Sequence, residues 1–311
     1  MITFLSGGTG TPKLIQGFRQ IIDDNEIAVI TNSADDVWLY GLYISPDIDT
    51  ILYLFSGILD EEKYWGIKND SFHTLSFLKN IEKEIWFNLG DKDLAIHLYR
   101  TKKLQEGEIL SQITLDIAKS FQIDAKIYPS SENHIETRII TKDGQDIHFQ
   151  EFWVKYKGKM PIERVYIKDI ETAKVPEEVI QTLEDSDIVI IGPSNPITSI
   201  GPIIKIETIR NWLKNNKDKC IAICPVIGEK PVSGPTAELM KAESKESTPL
   251  GVAQIYKDLC TLFIIDSQDQ EKAKEIEKKT GLKVEAKNIL FNDIEIARDL
   301  AKYILKRGRR A

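Results

Sequence analysis

The sequence predicts an α/β protein built on a Rossmann-like, mostly parallel sheet with helices on both faces. Short β-branched runs alternate with helical patterns at both ends of the chain, which is typical of a parallel sheet covered by helices. The apolar run DIVII at 187–191 indicates a strand buried on both faces. We also predict a helical insertion over 60–122 and a small antiparallel, β-rich extension over 123–170, both packed on a single body spanning 1–311.

The elements follow from hydrophobic periodicity and turn residues. The first unit is a strand at 2–5, a helix at 12–22 and a strand at 26–31. Helical periodicity without a strand between 70 and 123 predicts the insertion, and four short extended segments separated by turn residues predict the extension: AKIYP, ETRIIT, DIHFQEFWVKY and ERVYIKD. Later strands are predicted at 187–191, 220–226, 261–266 and 282–286, and later helices at 201–214, 250–259, 270–280 and 293–306.

Composition limits the function classes. With 311 residues and 42% hydrophobic content the chain has enough apolar material for a core, and its formal net charge of −7 argues against a nucleic-acid partner. No apolar segment approaches the roughly 18 residues of a membrane span, so we expect no membrane partner and no signal peptide. Three cysteines lack the second pair of a zinc site and favour a reducing cytoplasm. The last residues, Lys306 to Arg310, predict a basic, frayed tail.

The first candidate site is the glycine-rich segment from Ser6 to Lys13, between the first strand and the first helix. Glycines allow backbone N–H groups to approach an anion, the helix N-terminus adds partial positive charge, and Lys13 adds a full charge. The spacing matches neither a Walker A loop nor G-x-G-x-x-G. The alternative is a tight turn capped by Thr11, with Pro12 in the first helical turn.

The second candidate site is acidic. Asp35 and Asp36 directly follow the second predicted strand, where ligand groups collect in parallel sheets, and Asp49 comes shortly after. If these loops converge, the three carboxylates form an oxygen-rich site for Mg²⁺. The alternatives are helix capping by Asp47 or Asp49 and a solvated turn at Asp35 and Asp36.

Two further segments carry polar groups. The segment GPSNPITSIGP at 192–202 follows DIVII and precedes a predicted helix, so it offers either a second anion site or a proline-stiffened connection.

His97 and Arg100 are three residues apart on a predicted helix, where a lone histidine is more often structural. Aromatic residues such as Trp38 and Trp65 follow the second strand and either stack on a flat ring or fill a core.

Nothing in the sequence indicates a nucleophilic triad, because G-x-S-x-G is absent and neither Cys220 nor Cys224 has a nearby histidine. Two anion-binding turns and a carboxylate cluster instead favour phosphoryl chemistry, in which positioning and charge neutralisation dominate.

The chain resembles the 2-phospho-L-lactate transferase family, which makes the deazaflavin coenzyme F420. The matching segments span nearly the whole chain in the family's order: SGGTGTPKL at 6–14, NSADDVW at 32–38, ISPDIDTILYLFSG at 44–57, YWGIKNDSF at 64–72, LGDKDLAIHLYRT at 89–101, HFQEFWV at 148–154, IGPSNPITSIGPI at 191–203 and VIGEKPVSGP at 226–235.

The resemblance implies that a guanosine-diphosphate-linked phospho-acid is the donor, that the ribityl hydroxyl of the deazaflavin Fo is the acceptor, and that GMP is released in the presence of Mg²⁺. It further implies a homodimer. Asp35, Asp36 and Asp49 are expected to hold the metal, with Asp49 and Asp36 as catalytic residues. The remaining expected roles are donor binding by Gly7, Gly8, Thr9, Gly10, Thr11, Lys13, Ser194, Asn195, Thr198 and Ser199, Fo binding by Asp49, Trp38, Asn88 and Lys92, and phosphate contacts by His97 and Arg100.

Two other functions fit the sequence less well. A nucleotide-sugar-binding regulator of the same superfamily shares the glycine-rich opening, but its Asp-Asp pair is followed by glycines and serines, whereas this chain has Asp-Asp-Val-Trp and then Asp47-Ile48-Asp49-Thr50. A dinucleotide-dependent oxidoreductase is disfavoured because the glycine spacing differs and the second strand ends in Thr31-Asn32 without a ribose-binding acid.

Overall fold

The centre of the protein is a parallel sheet of seven strands in a computed structural model that describes residues 1–232 and 234–308. Numbered along the chain, the strands are β1 Ile2–Ser6, β2 Ile27–Thr31, β3 Val37–Leu39, β4 Leu42–Ile44, β5 Lys126–Pro129, β6 Glu136–Thr141, β7 Asp146–His148, β8 Ile162–Lys168, β9 Ile188–Ile191, β10 Cys220–Ile223, β11 Val226–Ile227, β12 Lys230–Pro231, β13 Leu262–Asp266 and β14 Lys283–Lys287. The central sheet has the order β14-β13-β10-β9-β1-β2-β5, and its neighbouring strands pair in parallel.

Helices cover this sheet. They are α1 Gly10–Phe18, α2 Pro46–Phe55, α3 His73–Leu78, α4 Asp91–Gln105, α5 Leu110–Ser120, α6 Glu177–Glu184, α7 Gly201–Lys205, α8 Glu207–Asn215, α9 Thr236–Ala242, α10 Pro249–Tyr256, α11 Ala273–Thr280 and α12 Ile294–Gly308. Every residue of β1, β2 and β9 is buried, as expected for strands covered on both faces. No helix among the described residues is long and apolar enough to cross a membrane.

Three small antiparallel sheets accompany the central one. Strands β7, β6 and β8 form a three-stranded sheet, and β3–β4 and β11–β12 form two hairpins. The predicted fold class is therefore confirmed: a mostly parallel sheet with helices, a helical stretch and a small antiparallel sheet.

One predicted extension segment belongs elsewhere. AKIYP was expected in the antiparallel extension, but β5 pairs in parallel with β2 and forms an edge of the central sheet. In DIHFQEFWVKY only Asp146–His148 is a strand, and a π-helical turn follows at Glu151–Lys155. The His148 ring Nδ1 accepts the Gln150 N–H at 3.0 Å, which turns the chain out of the strand. Short apolar segments look alike in either sheet, because strand pairing depends on distant residues.

Several element ends also differ from the predictions. Helix α1 begins at Gly10 and ends at Phe18, so it is shifted towards the glycine-rich loop. The helix predicted at 201–214 is divided at Ile206, whose ψ of 120° is extended. Lys306 and Arg307 lie in the last turn of α12, whereas Arg309 and Arg310 of the predicted tail lie outside the described residues.

We predict that Gly17→Ala destabilises the protein, because α1 packs directly against α12 at this residue. A Cβ atom on Gly17 would lie 2.3 Å from the Ala297 carbonyl carbon, so the backbone of one helix must move. We expect the free energy of unfolding in urea to fall by about 1–3 kcal/mol, as for other overpacked cores. Lys119→Ala on the exposed face of α5 is the control, and equal stability of both variants would contradict the predicted close packing.

Candidate active site at the carboxyl edge of the sheet

Three loops meet where β1, β2 and β9 end. The glycine-rich loop follows β1, the loop with Asp35 follows β2, and the loop with Asn195 follows β9. Because these three strands are parallel neighbours, their carboxyl ends lie at the same edge of the sheet. The loops enclose a cavity of about 340 Å³ that is lined by residues of all three: Gly8, Thr9, Gly10, Asp35, Ser194, Asn195, Thr198 and Ser199.

The first and third loops are locked together. Ser194 Oγ accepts the Thr11 N–H at 3.0 Å and lies 2.8 Å from Thr11 Oγ1. It therefore provides a hydrogen-bond acceptor for a free N–H group in the first turn of α1. A Cβ atom on Gly10 would lie 2.0 Å from the Pro193 carbonyl oxygen, and one on Gly192 would lie 2.0 Å from Thr11 Oγ1. These glycines are therefore required by close packing between the loops. Thr11 itself is buried, outside the cavity lining.

Asp47 ties the second loop to the first. Its carboxylate accepts the Gly8 N–H at 2.7 Å and the Asn32 side-chain amide at 2.9 Å. Burial raises the pKa of Asp47 to about 6, although both hydrogen bonds oppose this shift. A Cβ atom on Gly7 would lie 3.0 Å from Asp47 Oδ2, so Gly7 packs between the loops and lies outside the cavity lining. The acidic residue that closes the glycine-rich loop was expected only as a helix cap.

The expected metal trio does not form one cluster. Asp35 lines the cavity, and its Oδ1 is buried without a hydrogen-bond partner. Asp36 accepts the Ser45 hydroxyl at 2.8 Å and does not line the cavity. Burial raises the pKa of both carboxyls well above the usual value, and for Asp35 the neighbouring Asp47 adds to this shift. Asp35 therefore combines a place in the cavity lining with one buried carboxyl oxygen that has no hydrogen-bond partner, which fits the chemistry of a ligand to a divalent cation.

Asp49 is paired with a guanidinium. Arg100 binds both of its oxygens, through Nη1 at 3.0 Å to Oδ2 and through Nη2 to Oδ1, and both residues are buried. Burial lowers the pKa of Arg100, but the Asp49 carboxylate outweighs this and leaves the pKa raised. Among the described residues, the group whose ligand atoms lie within 4.8 Å of one another is Asp49, Asp93 and His97. Both oxygens of Asp49 and both terminal nitrogens of Arg100 thus take part in this ion pair.

The other expected site residues divide into two groups. Asn88 and His97 line the cavity. Trp38 is 48% exposed and packs edge-on against Tyr43, Lys92 is exposed with its Nζ 3.5 Å from the Asn69 carbonyl, and Lys13 Nζ lies 4.7 Å from the centre of the Tyr64 ring. None of these three side chains lines the cavity.

The sequence indicated only part of the aromatic wall of the cavity. Trp65, expected either to stack on a flat ring or to fill a core, lines the cavity, whereas Phe87, Phe149 and Trp153 were not singled out. Phe149 and Trp153 reach the cavity from the turn after β7, together with the polar side chain of Gln150. Trp153 lies against Gly158, where a Cβ atom would approach its ring within 3.0 Å. The matching segment HFQEFWV was the available signal, but its position beside the first strand's loop depends on tertiary packing.

Removal of Arg100 tests the buried pair. We predict that Arg100→Met lowers the free energy of unfolding by about 3–5 kcal/mol, because Asp49 is then buried without a counter-charge. Asp49→Asn combined with Arg100→Met is expected to lose less than the sum of the two single changes. Arg164→Met, at an exposed position, is the control. Additive losses in urea unfolding would show that the two side chains do not interact.

The buried His148 predicts a pH dependence. Burial lowers its pKa from 6.5 to about 4, so between these values the unfolded chain binds more protons than the folded one. Stability is therefore lost as the pH falls through this interval, by up to about 3 kcal/mol from this group. We expect unfolding experiments to show this acid-dependent loss reduced in His148→Gln and unchanged in the exposed His73→Gln. A parallel pH profile in all three proteins would rule out this assignment.

Solved structures support the fold. A crystal structure of a UPF0052 family protein from Bacillus halodurans matches with a TM-score of 0.64 at 17% identity, and the match covers 98% of both chains. At this identity the likeness concerns the fold alone.

Sequence comparisons identify the family. A family model described as 2-phospho-L-lactate transferase CofD matches residues 2–303. A 2-phospho-L-lactate transferase of Methanocorpusculum labreanum is 46% identical over 271 residues, which cover 86% of this chain and 88% of the relative. Another, of Methanosarcina acetivorans, is 40% identical over 301 residues and covers 97% of both chains. The chain belongs to the 2-phospho-L-lactate transferase CofD family.

Proposed function

We propose that this transferase moves a 2-phospholactate or phosphoenolpyruvate-type group from a guanosine-diphosphate-linked donor to the ribityl hydroxyl of Fo and releases GMP, in the biosynthesis of coenzyme F420. The observation that carries the proposal is the single cavity at the carboxyl edge of the sheet. There the glycine-rich loop, buried carboxylates and an aromatic wall face one another. The loops would receive the phosphates and the wall would receive the flat ring of the acceptor.

The reaction requires one bond exchange at phosphorus. The acceptor hydroxyl oxygen forms a bond to the phosphorus that carries the acid group, and the bridging oxygen leaves with GMP. The hydroxyl proton is released towards a cavity carboxylate, for which Asp49 is the candidate because it lines the cavity and is held by Arg100. Asp35 would hold Mg²⁺, which when bound would supply positive charge for the pyrophosphate.

Internal hydrogen bonds fix the conformation of the loop after β9, which would bind the donor. Asn195 Oδ1 accepts the backbone N–H groups of Ile197 at 2.9 Å and Thr198 at 3.3 Å, and Ser194 caps α1. Ser194 and Asn195 therefore orient the loop that faces the donor, in addition to lining the cavity. Preorganised loops reduce the entropic cost of binding a flexible pyrophosphate.

A product assay tests the proposal. Purified protein is incubated with Fo, Mg²⁺ and each guanylated phospho-acid in turn, and the products are identified by mass. We expect GMP and a phospho-acid ester of Fo in equal amounts. Tight binding of the guanylated compound without any product would instead favour a nucleotide-binding regulatory protein.

The Asp35 carboxylate tests the metal proposal. We predict that Asp35→Asn reduces Mg²⁺-dependent turnover by about 100-fold or more, because a charged ligand to the cation is lost. The variant should also weaken binding of Mn²⁺, measured by paramagnetic resonance in the presence of GDP. Asp218→Asn, at an exposed position, should leave both quantities unchanged. Equal Mn²⁺ affinity of Asp35→Asn and the parent protein would remove Asp35 from the metal site.

The family resemblance also leads us to propose a cytoplasmic homodimer. Light scattering of the purified protein measures its mass against the 35.4 kDa of one chain.

A further inference from the structure

Five buried side chains on α2 and α4 contact one another in a row at the cavity: Tyr53, Asp93, His97, Asp49 and Arg100. The Tyr53 hydroxyl donates to Asp93 Oδ1 at 2.5 Å, and the same oxygen lies 3.3 Å from His97 Nε2. The other ring nitrogen, Nδ1, lies 3.6 Å from Asp49 Oδ2. Arg100 Nη1 binds the same Asp49 oxygen at 3.0 Å and lies 3.4 Å from His97 Nδ1. All five side chains are buried, and all except Arg100 line the cavity.

Two facing helices produce this row through their periodicity. Asp49 and Tyr53 are four residues apart on α2, and Asp93, His97 and Arg100 are spaced by four and three on α4. Such spacings place side chains on one face of a helix. The two helices therefore present a matched set of polar groups to each other rather than isolated buried charges.

The polar contacts define the state of His97. A guanidinium only donates hydrogen bonds, and Arg100 Nη1 lies 3.4 Å from His97 Nδ1, so Nδ1 is an acceptor. With Nδ1 unprotonated, the ring N–H is on Nε2, which lies 3.3 Å from Asp93 Oδ1 but makes no hydrogen bond of good geometry with it. Because the two ring nitrogens face different carboxylates and a guanidinium is adjacent, the group of Asp49, Asp93 and His97 is arranged to orient a side chain rather than to hold a cation.

Asp49 keeps acceptor capacity under this arrangement. An ionised carboxylate has about four lone-pair sites, and the Arg100 fork uses one on each oxygen. The remaining sites are available to a hydroxyl group in the cavity that Asp49 lines. The direction in which they point depends on the rotation of the carboxylate. This rotation is restricted by the two hydrogen bonds of Arg100, whose Nη1 is in turn contacted by His97 Nδ1.

We propose that Asp93 and His97 are positioning residues that, together with Tyr53 and Arg100, hold the Asp49 carboxylate in the orientation needed to accept the hydrogen bond of the acceptor hydroxyl. The inference rests on the proposed function, because it assigns Asp49 to the acceptor side of the reaction. It gives His97 a role through Asp49, in place of the phosphate contact that the sequence suggested.

Steady-state kinetics test the inference with the variants His97→Asn, Asp93→Asn and Tyr53→Phe. Misplacement of a reacting group lowers kcat without weakening the binding of a remote nucleotide, so we expect kcat to fall by about 10- to 100-fold in His97→Asn and Asp93→Asn. The KM for the donor and the calorimetric Kd for GDP should stay within about twofold of the parent values. Because Asp93 acts through His97, the double variant His97→Asn/Asp93→Asn should have the same kcat as His97→Asn alone.

His73→Asn and Tyr99→Phe are the matched controls, since both residues are exposed and lie outside the row. If His97→Asn does not fold, as judged by thermal unfolding, Tyr53→Phe decides, because it removes a single hydroxyl and should still lower kcat. A kcat equal to that of the parent protein in the folded variants would overturn the inference. A loss of GDP affinity large enough to explain the whole loss of activity would also overturn it. An active parent protein with unaffected variants leaves the proposed function standing, whereas an inactive parent protein overturns both.

Discussion

The contact between the loops after β1 and β9 is the constraint on which the site depends. The Thr11 N–H and hydroxyl both meet Ser194 Oγ, and Gly10 and Gly192 leave no room for a side chain between the two loops. This contact fixes where α1 begins and therefore where the glycine-rich loop faces. The two loops are in close backbone contact here, and a larger side chain at either glycine would separate them.

The buried carboxylates are the second determinant of the site. Asp35, Asp36 and Asp47 all have a raised pKa, chiefly because burial disfavours their charged forms. Asp49 is instead paired with the guanidinium of Arg100. This edge of the sheet thus carries one carboxylate in an ion pair and three carboxyls whose pKa is raised by burial. Neighbouring carboxyls in such different environments are suited to different chemical roles.

The aromatic wall shows how distant segments complete the site. Trp153 and Phe149 come from the turn after β7, about 140 residues beyond the glycine-rich loop, and face it across the cavity. The small antiparallel sheet that carries this turn packs onto the central sheet through buried residues such as Ile139 and Phe152. These two aromatic side chains of the cavity are therefore supplied by an element that is separate from the loops after β1 and β9.

The sequence alone determined six strands of the central sheet (β1, β2, β9, β10, β13 and β14), the three loops and their common edge. Apolar runs and glycine-rich turns are local signals, and parallel strands end on one side of a sheet. It also pointed to Asp35, Asp49, Asn195 and His97. Only the tertiary structure decided that Arg100 neutralises Asp49, that AKIYP joins the central sheet and that Trp38 and Lys92 stay outside the cavity. Ion pairing, strand pairing and side-chain direction depend on residues far apart in the chain, so no local pattern specifies them.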